Sequence, residues 1–188
     1  MALSSKYCKD CGDAHRGHPN HSLSATARSR IIELSNEVYP PGSIPDWAAA
    51  MQWAPKTLRS MVWNEELLAC HVGALVRDVV MDGRLVRVVG IGGVMTAPAV
   101  RRRGYARAAL ATMRRYLIDD QQVSFLLLFC PADLCSFYGH LGWQSFMNAP
   151  VIEQRSKKVQ LLSCRTMVQE GTEIAPISGT LDLRGAPW

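Results

Sequence analysis

Residues 94–113, VMTAPAVRRRGYARAALATM, carry more chemistry than any other segment of this chain. A β-rich run ends at Thr96 and Pro98 closes it. Three arginines follow, then Gly104-Tyr105-Ala106, then a helical pattern. A helix N-terminus offers unpaired N–H groups and the positive end of the helix dipole. Gly104 lets a phosphate come close to the backbone, and small Ala106 does the same one step on. Arg101, Arg102 and Arg103 add charge. Together these features make a diphosphate cradle. Taken alone, the same pattern also describes a strand-to-helix turn with a solvated basic face.

The flanking sequence supplies the context. Residues 103–119 read as a helix with Ala106, Leu110, Met113 and Leu117 in a buried stripe. Upstream, Leu67–Met81 and Leu85–Thr96 are two long β-rich runs joined by Asp82-Gly83, a strong hairpin signal. Leu58–Trp63 is a shorter strand candidate. Gly92-Gly93 suits a bulge in the second long strand. Downstream, Val123–Cys130 is apolar on both faces, as a central and parallel strand would be. Residues 132–141 read as a short helix. Lys158–Val168 and Ile177–Leu183 are two further strand candidates. Near the start, residues 25–39 read as a helix capped by Ser24, with Ile31, Leu34 and Val38 on one face. Pro40-Pro41-Gly42 ends it, and Asp46 can cap a short helix through about Gln52. The element order predicts an α/β (α+β) fold with a mixed, mostly antiparallel sheet flanked by helices.

Arg101-x-x-Gly104-x-Ala106 after Val94-x-Thr96-x-Pro98 resembles the coenzyme A motif of the GNAT acetyltransferase superfamily. Ser136-Phe137-Tyr138-Gly139-His140-Leu141-Gly142-Trp143 resembles that superfamily's second signature, one helix and one apolar strand later. The resemblance covers roughly residues 60–146. It implies acetyl-CoA as cosubstrate, held by Val94, Met95 and Thr96 along the pantetheine arm and by Arg101–Arg103, Gly104, Tyr105, Ala106 and Arg107 at the diphosphate. It also implies a Met95 amide that polarises the acetyl carbonyl and a Tyr138 that protonates the leaving thiolate. Dimers are frequent in that superfamily, so a homodimer is the assembly it suggests.

A further resemblance concerns the acceptor. Thr180–Trp188 is similar to the C-terminus of aminoglycoside 2'-N-acetyltransferases, Leu68–Arg77 to one of their strands, and Asp46-Trp47 to an acid–aromatic pair on their substrate side. This implies an amino-sugar antibiotic as partner, bound by Asp46, Asp182 and the Trp188 carboxylate. Those enzymes carry a Glu on the central strand where this chain has Gly92, and an acid where it has Ala186-Pro187. Fewer carboxylates favour a less cationic acceptor. Kasugamycin, which bears its own carboxylate, fits that requirement. Asp46, His71, Asp182 and Trp188 are the candidate proton acceptors. A strand histidine is more often a hydrogen-bonded core residue, and Asp182 can instead pair with Arg184 or cap a turn. With no dedicated base, positioning of amine and thioester would supply the rate.

Residues 1–22 form a separate Cys/His-rich segment ahead of the acetyltransferase-like domain of residues 23–188. Cys8-x-x-Cys11 has knuckle spacing, and His15, His18 and His21 follow, so a structural zinc site is expected there. A chance cluster in a tail is the alternative, and elemental analysis of protein prepared without a metal column separates them. Cys70, Cys130, Cys135 and Cys164 sit in apolar surroundings and read as core thiols.

The 188 residues are 48% hydrophobic and 20% charged, an ordinary balance for one globular domain. The longest apolar run is too short to span a bilayer and the N-terminal residues do not resemble a secretory signal. A cytoplasmic location with no membrane partner is therefore expected. The net charge of +5 does not require a nucleic-acid partner, because its tightest cluster is explained by the diphosphate loop. Two alternatives stay open: acyl transfer to a metabolite amine, and a zinc-bearing basic protein that binds a partner without catalysis.

Overall fold

Ser24 caps the first helix, accepting a hydrogen bond from the Ala27 N–H at 3.1 Å. The computed structural model describes residues 23–188. The Cys8, Cys11, His15, His18 and His21 cluster lies outside the described residues. The elements run α1 (Ala25–Val38), α2 (Asp46–Ala49), β1 (Leu58–Asn64), β2 (Leu67–Met81), β3 (Arg84–Thr96), α3 (Tyr105–Asp119), β4 (Phe125–Cys130), α4 (Cys135–Gly139), β5 (Gln144–Phe146), β6 (Val151–Gln154), β7 (Lys157–Gln160), β8 (Arg165–Glu170) and β9 (Leu181–Asp182).

The spine is the β2–β3 hairpin. Asp82 and Gly83 both take positive φ (48° and 78°), which matches the right-handed twist of the strands they join. Outward from it the sheet runs β5-β8-β4-β3-β2-β9-β6-β7, with β1 also on β2. The β3–β4 pair is parallel and β4–β8 antiparallel, so β4 is central, as its two-sided apolar pattern requires. One face packs α1 and α3 over Cys70, Val72, Ala74, Val89, Ile91, Leu126 and Leu128. The other buries Val88, Leu127, Val168, Leu181, Leu183 and Trp188. The mixed sheet flanked by helices is thus the architecture expected. Among the described residues no helix is long and apolar enough to cross a membrane, and no group of three or more His, Cys, Asp or Glu is arranged to hold a metal ion.

Four expectations need correction. Asp46 is the first residue of α2, not its cap; Pro45 stands before it, and the helix stops at Ala49. Lys158–Val168 is two strands, because the chain leaves β7 after Gln160 to bury Leu161, whose N–H donates to the Pro150 carbonyl at 2.9 Å. Ile177–Leu183 yields only the two-residue β9, since Gly179 (φ 128°) turns the chain against the Asp82 carboxylate, which accepts the Thr180 N–H at 2.7 Å. Helix 132–141 is a 3₁₀ turn over Ala132–Leu134 followed by the five-residue α4.

Candidate active site

The opening in the sheet comes from one extra residue. On β2, His71 pairs with Met95 and Gly73 with Gly92, so two steps along β2 meet three along β3. The surplus is absorbed at Gly93, whose φ of 58° is costly for any residue with a side chain. The bend turns β3 away from β4. Their parallel ladder stops at Ile91↔Leu128, although β4 runs on to Cys130 along β8 and β3 to Thr96 along β2. A V-shaped gap is left between the two strand ends. The Ala97 N–H donates to the Ala69 carbonyl at 3.0 Å. Antiparallel alternation turns the Met95 amide the same way, toward β2, and the Thr96 amide toward the gap.

Beyond Thr96 the chain passes through a 3₁₀ turn (Pro98–Val100) and the arginine loop into α3. Arg102 (φ 64°) and Gly104 (φ 84°) are both left-handed, which folds the loop over the end of the helix. Arg101 Nε reaches back to the Thr96 carbonyl at 3.4 Å. Arg101, Arg102, Arg103, Gly104 and Arg107 are exposed, Ala106 is half-buried, and Tyr105 is packed into the core. No side chain caps α3 and no acid sits in its first turn, so its first N–H groups face outward beside four arginines. A Cβ on Gly104 would meet nothing within 4 Å, so backbone conformation alone demands the glycine. Gly104→Ala is expected to cost ~1–2 kcal/mol of left-handed strain, seen as a melting temperature lower by a few degrees and, where the loop relaxes instead, as up to about tenfold weaker acetyl-CoA binding. Calorimetric titration of acetyl-CoA measures it.

Tyr138 sits on α4, 6% exposed, with Trp143 (6.2 Å) and Phe137 (5.0 Å) edge-on to its ring. Its carbonyl accepts from the Leu141 and Trp143 N–H groups, and Gly142 (φ 86°) closes the turn. Tyr138 belongs to the same buried cluster as Cys130 at the end of β4, Cys70 opposite Thr96, and Met95. Burial pushes its pKa well above the ordinary phenol value, with Cys130, Tyr39 and Cys70 adding to the rise. Burial thus favours the protonated hydroxyl.

The other candidates separate clearly. His71 is 3% exposed. Its Nδ1 donates to the Gly93 carbonyl at 2.8 Å, which leaves the Nε2 lone pair buried with no hydrogen-bond partner among the described residues. Burial pulls it down to about 4; the Gly93 bond opposes this, and Arg59 and Lys56 add to the fall. Trp188, also 3% exposed, lies flat over Gly90 and stacks on Phe129 at 5.4 Å, with the Arg77 guanidinium 5.4 Å from its ring centre. The carbon and one oxygen of its α-carboxylate come within 2.9 and 3.1 Å of where a Gly92 Cβ would stand. The Trp188 carboxylate therefore occupies space that a side chain at position 92 would need. Asp182 is occupied: Oδ2 accepts from Lys158 Nζ at 2.6 Å and Oδ1 from the Arg184 N–H at 2.8 Å. The Lys158 hydrogen bond, chiefly, depresses its pKa, which makes it a strut rather than a base. Asp46 is exposed on α2 and makes no ion pair among the described residues.

Sequence patterns did not reveal Lys56, Gly73 and Arg77. Arg77 donates to the Leu183 and Ala186 carbonyls (3.2 and 2.8 Å) and so holds the final segment on the sheet. A glycine inside each of two paired strands, Gly73 and Gly92, was the available signal for a close approach at that point.

A splayed β3–β4 pair beside an uncapped, arginine-rich helix start defines an acyltransferase fold that takes a diphosphate-bearing acyl donor. Residues 21–146 match the family described as the acetyltransferase (GNAT) domain, and the chain belongs to that family. No curated protein matches it. Among solved structures it is similar to a GNAT family acetyltransferase from Brucella melitensis in complex with acetyl-CoA (12% identity, TM-score 0.56, 85% of this chain and 90% of that one). It is also similar to Escherichia coli ElaA (18%, 0.54, 79% and 93%). A third is the ribosomal-protein-S18-alanine N-acetyltransferase of Escherichia coli (16%, 0.54, 82% and 94%). At these identities the likeness is one of fold.

Proposed function

We propose that the protein transfers the acetyl group of acetyl-CoA to the 2'-amino group of an aminoglycoside-type antibiotic, with kasugamycin as the favoured acceptor. The observation that carries the acyl-transfer half is the gap at Gly92–Thr96, with Tyr138 on one side and the open start of α3 on the other. Acetyl-CoA, when bound, supplies an activated acetyl thioester. Arg101, Arg102, Arg103 and Arg107 with the α3 N–H groups hold its diphosphate. The edge of β3 at Val94–Thr96 takes the pantetheine arm. Strand alternation favours the Thr96 amide over that of Met95 as the donor to the thioester carbonyl. Tyr138 holds a proton at its hydroxyl for the departing sulfur.

On the acceptor side, His71 is neutral at pH 7 and its Nε2 can accept a hydrogen bond from the amine. With a pKa near 4 it orients the amine more than it deprotonates it, and the amine proton passes to water. The amino-sugar acceptor is supported by the Trp188 segment, which folds onto the sheet at that point. With Asp182 held by Lys158, the Trp188 carboxylate is the one candidate acid at Gly92, which favours an acceptor less cationic than gentamicin-type compounds.

Coenzyme A release, measured against kasugamycin, gentamicin-type aminoglycosides and simple metabolite amines, tests this. Kasugamycin is expected to support turnover while gentamicin-type compounds do not. Rapid acetylation of the latter with kasugamycin untouched overturns the assignment.

A further inference from the structure

The splayed end of β3 is held to β2 on both sides of its bulge. Upstream the ladder breaks off at Gly92↔Gly73, and downstream it resumes at Met95↔His71. Beyond that, the Thr96 hydroxyl donates to the Cys70 Sγ at 3.5 Å and the Ala97 N–H to the Ala69 carbonyl at 3.0 Å. In the interval, Gly93 and Val94 stand opposite the single residue Val72. The His71 side chain reaches into this interval. Its Nδ1 donates to the Gly93 carbonyl at 2.8 Å. A Cβ on Gly93 would stand 3.6 Å from the ring's Cε1 and 3.7 Å from its Nδ1, so the imidazole covers the face that the glycine leaves bare.

Packing alone does not call for a histidine here. The ring is 3% exposed, its Nε2 has no partner among the described residues, and burial pulls its pKa down to about 4. A valine or leucine on the same strand avoids each of these costs. The contact that offsets them is the hydrogen bond to Gly93. The backbone it grips explains the need. Gly92 and Gly93 are consecutive glycines, and Gly93 sits at φ 58°. Glycine has the widest backbone freedom, so the direction of such a bulge is soft unless a group outside the backbone fixes it. The peptide unit is planar and trans, so holding the Gly93 carbonyl toward His71 turns the Val94 N–H the opposite way. Strand alternation puts that N–H on the same side as the Thr96 amide, toward the gap between β3 and β4.

We propose that His71 is a positioning residue for the acyl donor: through the Gly93 carbonyl it fixes the bulge and aims the Val94–Thr96 edge into the gap. The Nδ1 edge of the ring touches neither the donor nor the reacting atoms. It sets the backbone that does, to the tolerance of about 0.5 Å that such sites require. This rests on the acetyl-transfer function proposed above and adds to it the side chain that fixes the donor's geometry.

Two substitutions separate the two ring nitrogens. Asparagine can place an N–H where Nδ1 stands, and glutamine can place one where Nε2 stands. Acetyl-CoA binding is measured by calorimetry with no acceptor present, and the backbone amides of residues 92–96 by heteronuclear NMR. His71→Asn should hold acetyl-CoA within about threefold of the wild-type affinity and leave those amide signals in place. His71→Gln should weaken acetyl-CoA about tenfold, the scale of one buried hydrogen bond, and move the Gly93 and Val94 signals. The wild-type ring supplies a check that needs no variant: its nitrogen signals should show the Nδ1–H tautomer at pH 7. An Nε2–H tautomer overturns the inference. So does a His71→Gln variant that binds acetyl-CoA as tightly as His71→Asn, or one whose signal changes spread over the whole sheet. A wild-type protein that does not bind acetyl-CoA would sink the transfer function, while the tautomer and the amide signals would still decide whether His71 sets the bulge.

Discussion

Tyr138→Phe is expected to lower kcat by about 10²- to 10³-fold while KM for acetyl-CoA stays within about threefold. The size follows from removing the general acid that the proposed function assigns to Tyr138. The split follows from where the side chain sits. Its ring packs between Phe137 and Trp143 and keeps that packing as phenylalanine, so the fold and the diphosphate loop are untouched. Only the proton at the gap is lost. Because burial raises the Tyr138 pKa, the hydroxyl stays protonated across the working range. Its loss should therefore lower the pH–rate curve without moving an alkaline limb near pH 10. A variant that turns over at the wild-type rate would remove Tyr138 from the reaction.

Trp188→Ala is expected to destabilise the protein by about 3–5 kcal/mol, the usual cost of emptying a buried aromatic site. The indole fills the space above Gly90, stacks on Phe129 and lies under the Arg77 guanidinium, so its removal opens the second core. Its Nε1 has no partner among the described residues, so Trp188→Phe should recover much of the loss. Gly90→Val approaches the same contact from the sheet side. Its Cβ would fall inside the indole, and the variant should expel Trp188 from the sheet without removing an aromatic ring. Activity should fall in all three variants in the order of their lost stability. Urea titration with parallel turnover measurements checks this, and a Trp188→Ala loss under about 1 kcal/mol would mean the segment is not part of the core.

The cofactor half was legible in the chain because its signals are local. Asp82-Gly83 sets a turn, Gly104 supplies a left-handed residue before a helix, and Gly92-Gly93 marks a bulge; the structure has each where the residue types demand it. The two-sided apolar pattern of Val123–Cys130 correctly announced a central strand. Local signals also explain the misreadings. Nothing between Lys158 and Val168 breaks β propensity strongly. Only the pull that buries Leu161 and the pairing of Arg165–Glu170 with β4 cut that run in two. β5 and β6, at three and four residues, are too short to show a period.

The region proposed for the acceptor depends on distance. Lys56, His71, Gly92 and Trp188 are spread over more than two-thirds of the chain, and no pattern in one dimension links them. The sequence by itself determined a strand, a bulge, an arginine loop and a helix able to receive a diphosphate, because each follows from a residue's own backbone preference. Tertiary structure decided that Trp188 would lie over Gly90 with its carboxylate against Gly92, that Asp182 would be tied to Lys158, and that Lys56 would lie in a trough of two glycines. Strand register brings those groups together, and register is settled only when the whole sheet buries its two faces.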